Sequence, residues 1–130
     1  VNLADLYPLL ADHLAAAFAT SAAAAYPSPP DKAAAPAAWV EIPNGSSSSG
    51  QRNVLTATAR TVVVLGQTDA GPTLDAQLDA VDRLVDAWRT PPAGVGLAGG
   101  WAWALEEREL GGVSYNAVSF DVPVNYPANC

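Results

Sequence analysis

The sequence predicts an α+β fold in a single domain, with elements in the order α-β-β-α-β-β. Three observations lead there. Two segments repeat apolar residues at three- and four-residue spacing, four others alternate or concentrate β-branched residues, and clusters of Gly, Pro and Ser separate them. A chain of 130 residues has room for one core and no second one. Two hairpins joined into one antiparallel four-stranded sheet, with both helices on one face and one hairpin long and flexible, is the compact arrangement of these elements.

The first helix is expected from Asn2 to about Ala25. Asn2 can cap it, Asp5 favours its positive end, and Leu3, Leu6, Leu10, Leu14, Ala17 and Phe18 form one apolar stripe. Pro8 interrupts the pattern, because an interior proline deletes a backbone bond and clashes with the preceding turn. Either the first turn is a separate piece, or the main helix starts near Pro8. Residues 26–36 form a proline-rich linker. Residues 38–43 then read as a short strand with Ala38, Val40 and Ile42 on one face and Trp39 on the other. Either Trp39 or that apolar set therefore faces away from the helices.

Residues 44–51 are expected to be a flexible hairpin tip, since Asn44 to Gly50 is almost entirely Ser and Gly. A long strand follows from about Arg52 to Gly66. Val62 to Leu65 is its two-sided centre, and the milder Thr56–Ala59 alternation is its exposed arm. The second helix opens at Gly71-Pro72-Thr73, and Leu74, Leu78, Val81, Val85 and Trp88 give it the strongest helical periodicity in the chain. Pro91 and Pro92 end it. The loop from Gly94 to Gly100 leads into a strand at Trp101–Leu105, whose Trp101 and Trp103 share the face expected under the helices. Leu110-Gly111-Gly112 turns the chain into the last strand, Val113 to Val124, with Val118, Phe120, Val122 and Val124 on one side.

Charge excludes several functions. Thirteen acidic side chains against six basic ones give a net charge of −7, which opposes binding through nucleic-acid phosphates. No apolar run approaches the roughly 20 residues of a membrane span, and the first residues lack the basic head of a signal peptide. Cys130, the one cysteine, permits no intrachain disulfide.

No catalytic arrangement is visible either. His13 has no positioned partner, because Asp12 points about 100° away on a helix. The glycines at 94–100 lack the Lys-Ser/Thr of a phosphate loop and precede a strand where such a loop opens a helix. No Cys/His cluster or calcium-loop spacing occurs. The expectation is a protein that is not an enzyme and has no cofactor or metal. Asp75, Asp79, Asp82 and Asp86 step by four, three and four residues along the second helix. Such a stripe is either a solvated face offset by Arg83 and Arg89, or a surface that repels polyanions or docks a basic partner.

These features resemble the tail-terminator family of long-tailed bacteriophages, in the alanine-rich form found in phages of high-GC actinobacteria. The residues that carry the likeness are Leu3-Ala-Asp-Leu-Tyr-Pro-Leu-Leu10, Ala35-Pro-Ala-Ala-Trp-Val-Glu-Ile42 and Thr73-Leu-Asp-Ala-Gln-Leu-Asp-Ala80. The polar hairpin, the valine-rich strand and the closing strand from Tyr115 to Val124 add to it. The resemblance covers nearly the whole chain as element order and texture, with no catalytic motif to transfer. It implies a virion protein that forms a ring of identical subunits, usually a hexamer, at the head-proximal end of the tail. Its partners would be the tail tube protein and the head–tail connector, with DNA passing unbound through the lumen and no membrane involved. Under that reading Trp39, Glu41, Asn44, Ser46, Ser47, Ser48, Ser49 and Arg52 are candidate ring or partner contacts. The aspartate stripe is then lumen-facing or simply solvated. A head-completion or connector protein of the neck, and a non-catalytic binding module, share the same composition.

Overall fold

Two long strands of β-branched and aromatic residues organise the chain, because each can bury apolar side chains on both faces only inside a sheet. A computed structural model describes residues 3–18, 24–25, 37–47, 54–67, 74–92 and 94–127. In chain order the elements are α1 (Leu3–Ala17), β1 (Ala24–Ala25), β2 (Ala37–Glu41), β3 (Gly45–Ser47), β4 (Val54–Gln67), α2 (Leu74–Trp88), β5 (Gly96–Leu97), β6 (Ala102–Leu110) and β7 (Val113–Pro127). The expected α-β-β-α-β-β order is present. β1, β3 and β5 are short additions to its sheet, in which the main strands lie β2-β4-β7-β6. All the pairings are antiparallel except that of β1 with β2.

Both helices lie on one face. Leu6, Leu10, Leu14 and Phe18 of α1 and Ala80, Val81, Leu84 and Trp88 of α2 pack with Ala38, Val40, Val63, Val118, Phe120, Val122 and Val124. The opposite face carries a second cluster of Ala37, Trp39, Val62, Val64, Tyr115 and Ala117. Trp39 is thus the residue that faces away from the helices, and the Ala38, Val40 and Ile42 set lies beneath them.

Several elements depart from expectation, each for an identifiable reason. α1 runs through Pro8 without a break and ends at Ala17, well short of Ala25. Pro8 is exposed, and the one backbone bond it removes near the helix start is outweighed by burial of the leucine stripe. Part of the expected tip is strand, since Gly45, Ser46 and Ser47 pair with Ala57, Thr56 and Leu55. Residues 42–44 lie opposite residues 58–59 there, so one extra residue bulges between β2 and β3. Thr58 closes the bulge by donating its backbone N–H to the Asn44 carbonyl (3.1 Å) and its hydroxyl to Asn44 Oδ1 (2.8 Å). Ala57 and Ala59, expected in an exposed arm, are core residues, because β7 continues to Pro127 and pairs with that arm throughout. β6 reaches Leu110, beyond the expected end at Leu105, and turns through Gly111 and Gly112 (φ 59° and 82°), the positive pair a two-residue hairpin needs. The linker at 26–36 and residues 48–51 of the tip lie outside the described residues.

At Gly45 a side chain would meet the Thr56 carbonyl oxygen at 2.9 Å, whereas at Gly100 it would meet nothing within 4 Å. Gly45→Ala is therefore expected to cost about 1–3 kcal/mol by forcing the β3–β4 ladder apart. Gly100→Ala should stay within about 0.5 kcal/mol of the parent. Urea unfolding of both variants checks the contrast.

Candidate functional site

The helix-free face of the sheet holds the densest polar constellation. Trp39 Nε1 donates to Glu41 Oε2 (3.0 Å), and the Arg108 guanidinium lies 3.4 Å from both Glu41 oxygens while its Nε donates to Glu106 at 3.0 Å. On the same face Arg60 grips Asp121 with two bonds of 2.8 and 3.0 Å. The hydrogen bonds that Arg60 donates to Asp121 raise its pKa. For Arg108 burial acts downward, but the Glu106 bond and the charges of Glu41 and Glu106 outweigh it, so its pKa is also raised. Both guanidiniums are fixed cations neutralised by their own chain.

The Arg108–Glu41 contact also reports the shape of the sheet. β6 and β2 are separated by two strands, which in a flat sheet puts them roughly 14 Å apart before any offset along the strands. Their side chains meet only if the β6–β7 hairpin curls over the helix-free face. Leu110 and Val113, at the hairpin end, accordingly pack against the Trp39 cluster. The same curl turns the other side of β6 away from α2. Trp103, expected beneath the helices, and Leu105 pair with Phe120 and Val118 on the helix side yet remain 51% and 40% exposed. Trp101 is half-buried against Phe120.

The second helix is rotated from its expected setting. Its buried side is Gln77, Ala80, Val81, Leu84 and Trp88, leaving Leu74 52% and Leu78 40% exposed. Gln77 lies within that buried side, where its amide nitrogen donates to the Ala117 carbonyl of β7 at 2.9 Å. The aspartate stripe is exposed, with only distant pairs from Asp79 to Arg83 (3.8 Å) and Asp86 to Arg89 (3.5 Å).

The candidate contacts divide. Trp39 is 2% exposed and is a core residue, so as a surface contact it is withdrawn. Glu41 is held by Trp39 and Arg108, and Asn44 closes the bulge. Ser46 and Ser47 belong to β3, while Ser48, Ser49 and Arg52 lie outside the described residues. The sequence reading missed Arg108 and Gln77, because neither position differs from an ordinary surface residue until the register is known.

The His13 Nε2 lies 2.8 Å from the Ala87 carbonyl, for which it must carry the proton, and its ring packs edge-on against Trp88 at 5.0 Å. It caps the end of α2. A cavity of about 10 Å³ lined by His13, Thr61, Leu84 and Trp88 is at the lower limit for one water. Among the described residues no group of three His, Cys, Asp or Glu could hold a metal, and no helix is long and apolar enough to cross a membrane. No family model matches the chain, and no curated protein matches it.

Tyr7 ties α1 to β2 through a hydrogen bond donated to the Val40 carbonyl (2.5 Å). Burial first, and then the charge of Glu41, push its phenol above the ordinary 10.0. A proton held more tightly in the folded state gives stability that is complete below pH 10.0 and is lost as pH rises through the folded value. Tyr7→Phe should cost about 1 kcal/mol at neutral pH. The gap between variant and parent should close as pH rises past 10.0, measured by urea unfolding from pH 7 upward.

Proposed function

We propose that this chain is the tail terminator of a long-tailed bacteriophage. In this reading it forms a ring of identical subunits on the head-proximal end of the tail tube, ends tube polymerisation and offers the surface on which the head connector docks. The observation that carries the reading is the element order: α-β-β-α-β-β in one sheet, with both helices on one face and a hairpin extended past the β2–β4 core. That is the order of the family the sequence resembles.

Electrostatics adds support. A ring that passes DNA must not grip phosphate, and α2 turns Asp75, Asp79, Asp82 and Asp86 outward. Arg60, Arg83, Arg89 and Arg108, the arginines of the described residues, are each ion-paired within the chain. The stripe can therefore line the lumen or face solvent. A structure of the assembled ring decides: all four aspartates against a neighbour's basic surface is the result that removes the lumen assignment.

The test of the role itself is electron microscopy of lysates from a phage that carries this gene, after its removal. Overlong tails free of filled heads are expected. Tails of normal length beside unjoined heads would instead make the protein a head-completion or connector component of the neck.

A further inference from the structure

A second surface has a different character from the aspartate stripe. β6 is the edge of the sheet beyond β7, and among the described residues nothing pairs with its outer side. Its helix-side residues run Trp103, Leu105, Glu107 and Glu109, since their partners Phe120 and Val118 lie in the helix-side core. All four are exposed. On the same side of the sheet, one flank of α2 leaves Leu74 and Leu78 exposed. The opposite flank faces α1, where Arg83 stacks over Phe18 at 5.9 Å and the Ala87 carbonyl meets His13. At about 100° per residue, Leu74 and Leu78 fall on the side away from α1, toward β7 and β6.

Four of the five large apolar side chains exposed among the described residues, Leu74, Leu78, Trp103 and Leu105, thus lie on the helix side of the sheet, and Trp103 and Leu105 form an apolar shelf along β6. Natural sheet edges are guarded by charge, and here the charges cover only one half of β6. Glu106 to Glu109 protect the end near the turn, while the Trp103–Leu105 half is apolar with an open backbone ladder.

We propose that this shelf takes an extended segment of another protein, added as a strand to the outer edge of β6. The inward-facing positions of that segment are apolar opposite Trp103 and Leu105 and basic opposite Glu107 and Glu109. Backbone bonds supply affinity, and the alternate side chains supply specificity. Charge complementarity selects the occupant. Glu107 and Glu109 form no ion pair among the described residues, so basic side chains complement them, and the net charge of −7 opposes a second copy of this chain as their source. Nucleic acid is repelled by the same carboxylates and by the −7 net charge. The inference does not rest on the tail-terminator reading, whose test is made on virions.

The experiment is calorimetric titration of the purified chain at low salt with two nine-residue peptides. One has inward positions Leu, Val, Lys, Lys separated by Thr, and the other is its reverse, so that both strand directions are sampled. One of the two is expected to bind. Its affinity should fall at least tenfold with Trp103→Ser and about fivefold with Glu107→Gln/Glu109→Gln. It should be lost when Glu replaces Lys in the peptide. These side chains are exposed, so unchanged circular dichroism separates lost binding from lost folding. Absence of binding by both peptides, or equal binding of the Glu peptide, overturns the proposal. So does self-association of the parent chain that Trp103→Ser abolishes, which would make a second copy the occupant.

Discussion

The pairing of β4 with β7 is the constraint on which the rest of the molecule depends. It runs from Val54 opposite Pro127 to Gln67 opposite Tyr115, and its two faces supply both apolar clusters. Every other strand but β1, which pairs with β2, is attached to one of these two, so neither helix has a surface to bury against until they have met. The residues joined lie far apart in sequence, and closing that loop costs entropy before any contact repays it. The valines at 62–64 and the Val118 to Val124 series on the partner strand are where that repayment is largest, since each of them is buried completely. The register shift between Val64 and Gly66 ends the regular part of the ladder near the β6–β7 turn, the region where the hairpin bends over Trp39.

Much of this architecture is legible in the sequence because its period is unambiguous. Val118, Phe120, Val122 and Val124 alternate without exception, and all four are core. Leu6, Leu10, Leu14 and Phe18 keep helical spacing and are buried in spite of Pro8. The features that the sequence hides are those decided by tertiary register. Leu74 and Leu78 fit the helical stripe as well as Val81 and Trp88 do, yet the buried side of the helix takes in Gln77, bonded to the Ala117 carbonyl, and leaves both leucines exposed. Trp103 lies on the expected face, but local sequence says nothing of a curl produced by contacts between strands that are not neighbours. The bulge at residues 42–44 is equally silent, because a polar loop and a polar edge strand share a composition.

Charge follows the same logic. Counted along the chain, six basic residues temper thirteen acidic ones everywhere. Folded, three arginines are drawn against the protein while Arg89 stays exposed beside Asp86: Arg60 and Arg108 lie on the helix-free face in bonds of 2.8 to 3.4 Å, and Arg83 leans over Phe18. Exposed ion pairs of this kind add little stability, about 0.2–1 kcal/mol each. Their larger effect is on the outer surface, from which they remove the positive charge and leave Asp75, Asp82, Glu107 and Glu109 without a counter-ion among the described residues.

The curl of the β6–β7 hairpin links these observations. By bringing Arg108 to Glu41 it closes one face of the sheet over Trp39, and by the same movement it opens the other, so that Trp103 and Leu105 lose the cover that α2 would give them. A flatter sheet would bury the tryptophan beneath α2 and leave the opposite cluster wet. The fold thus exchanges one apolar face for another, and the face it leaves open carries the unpaired strand edge and the uncompensated carboxylates. Apolar area, backbone hydrogen-bonding groups and negative charge therefore coincide on one side of the molecule as consequences of a single bend. That coincidence separates a docking surface from the scattered apolar residues that any protein exposes.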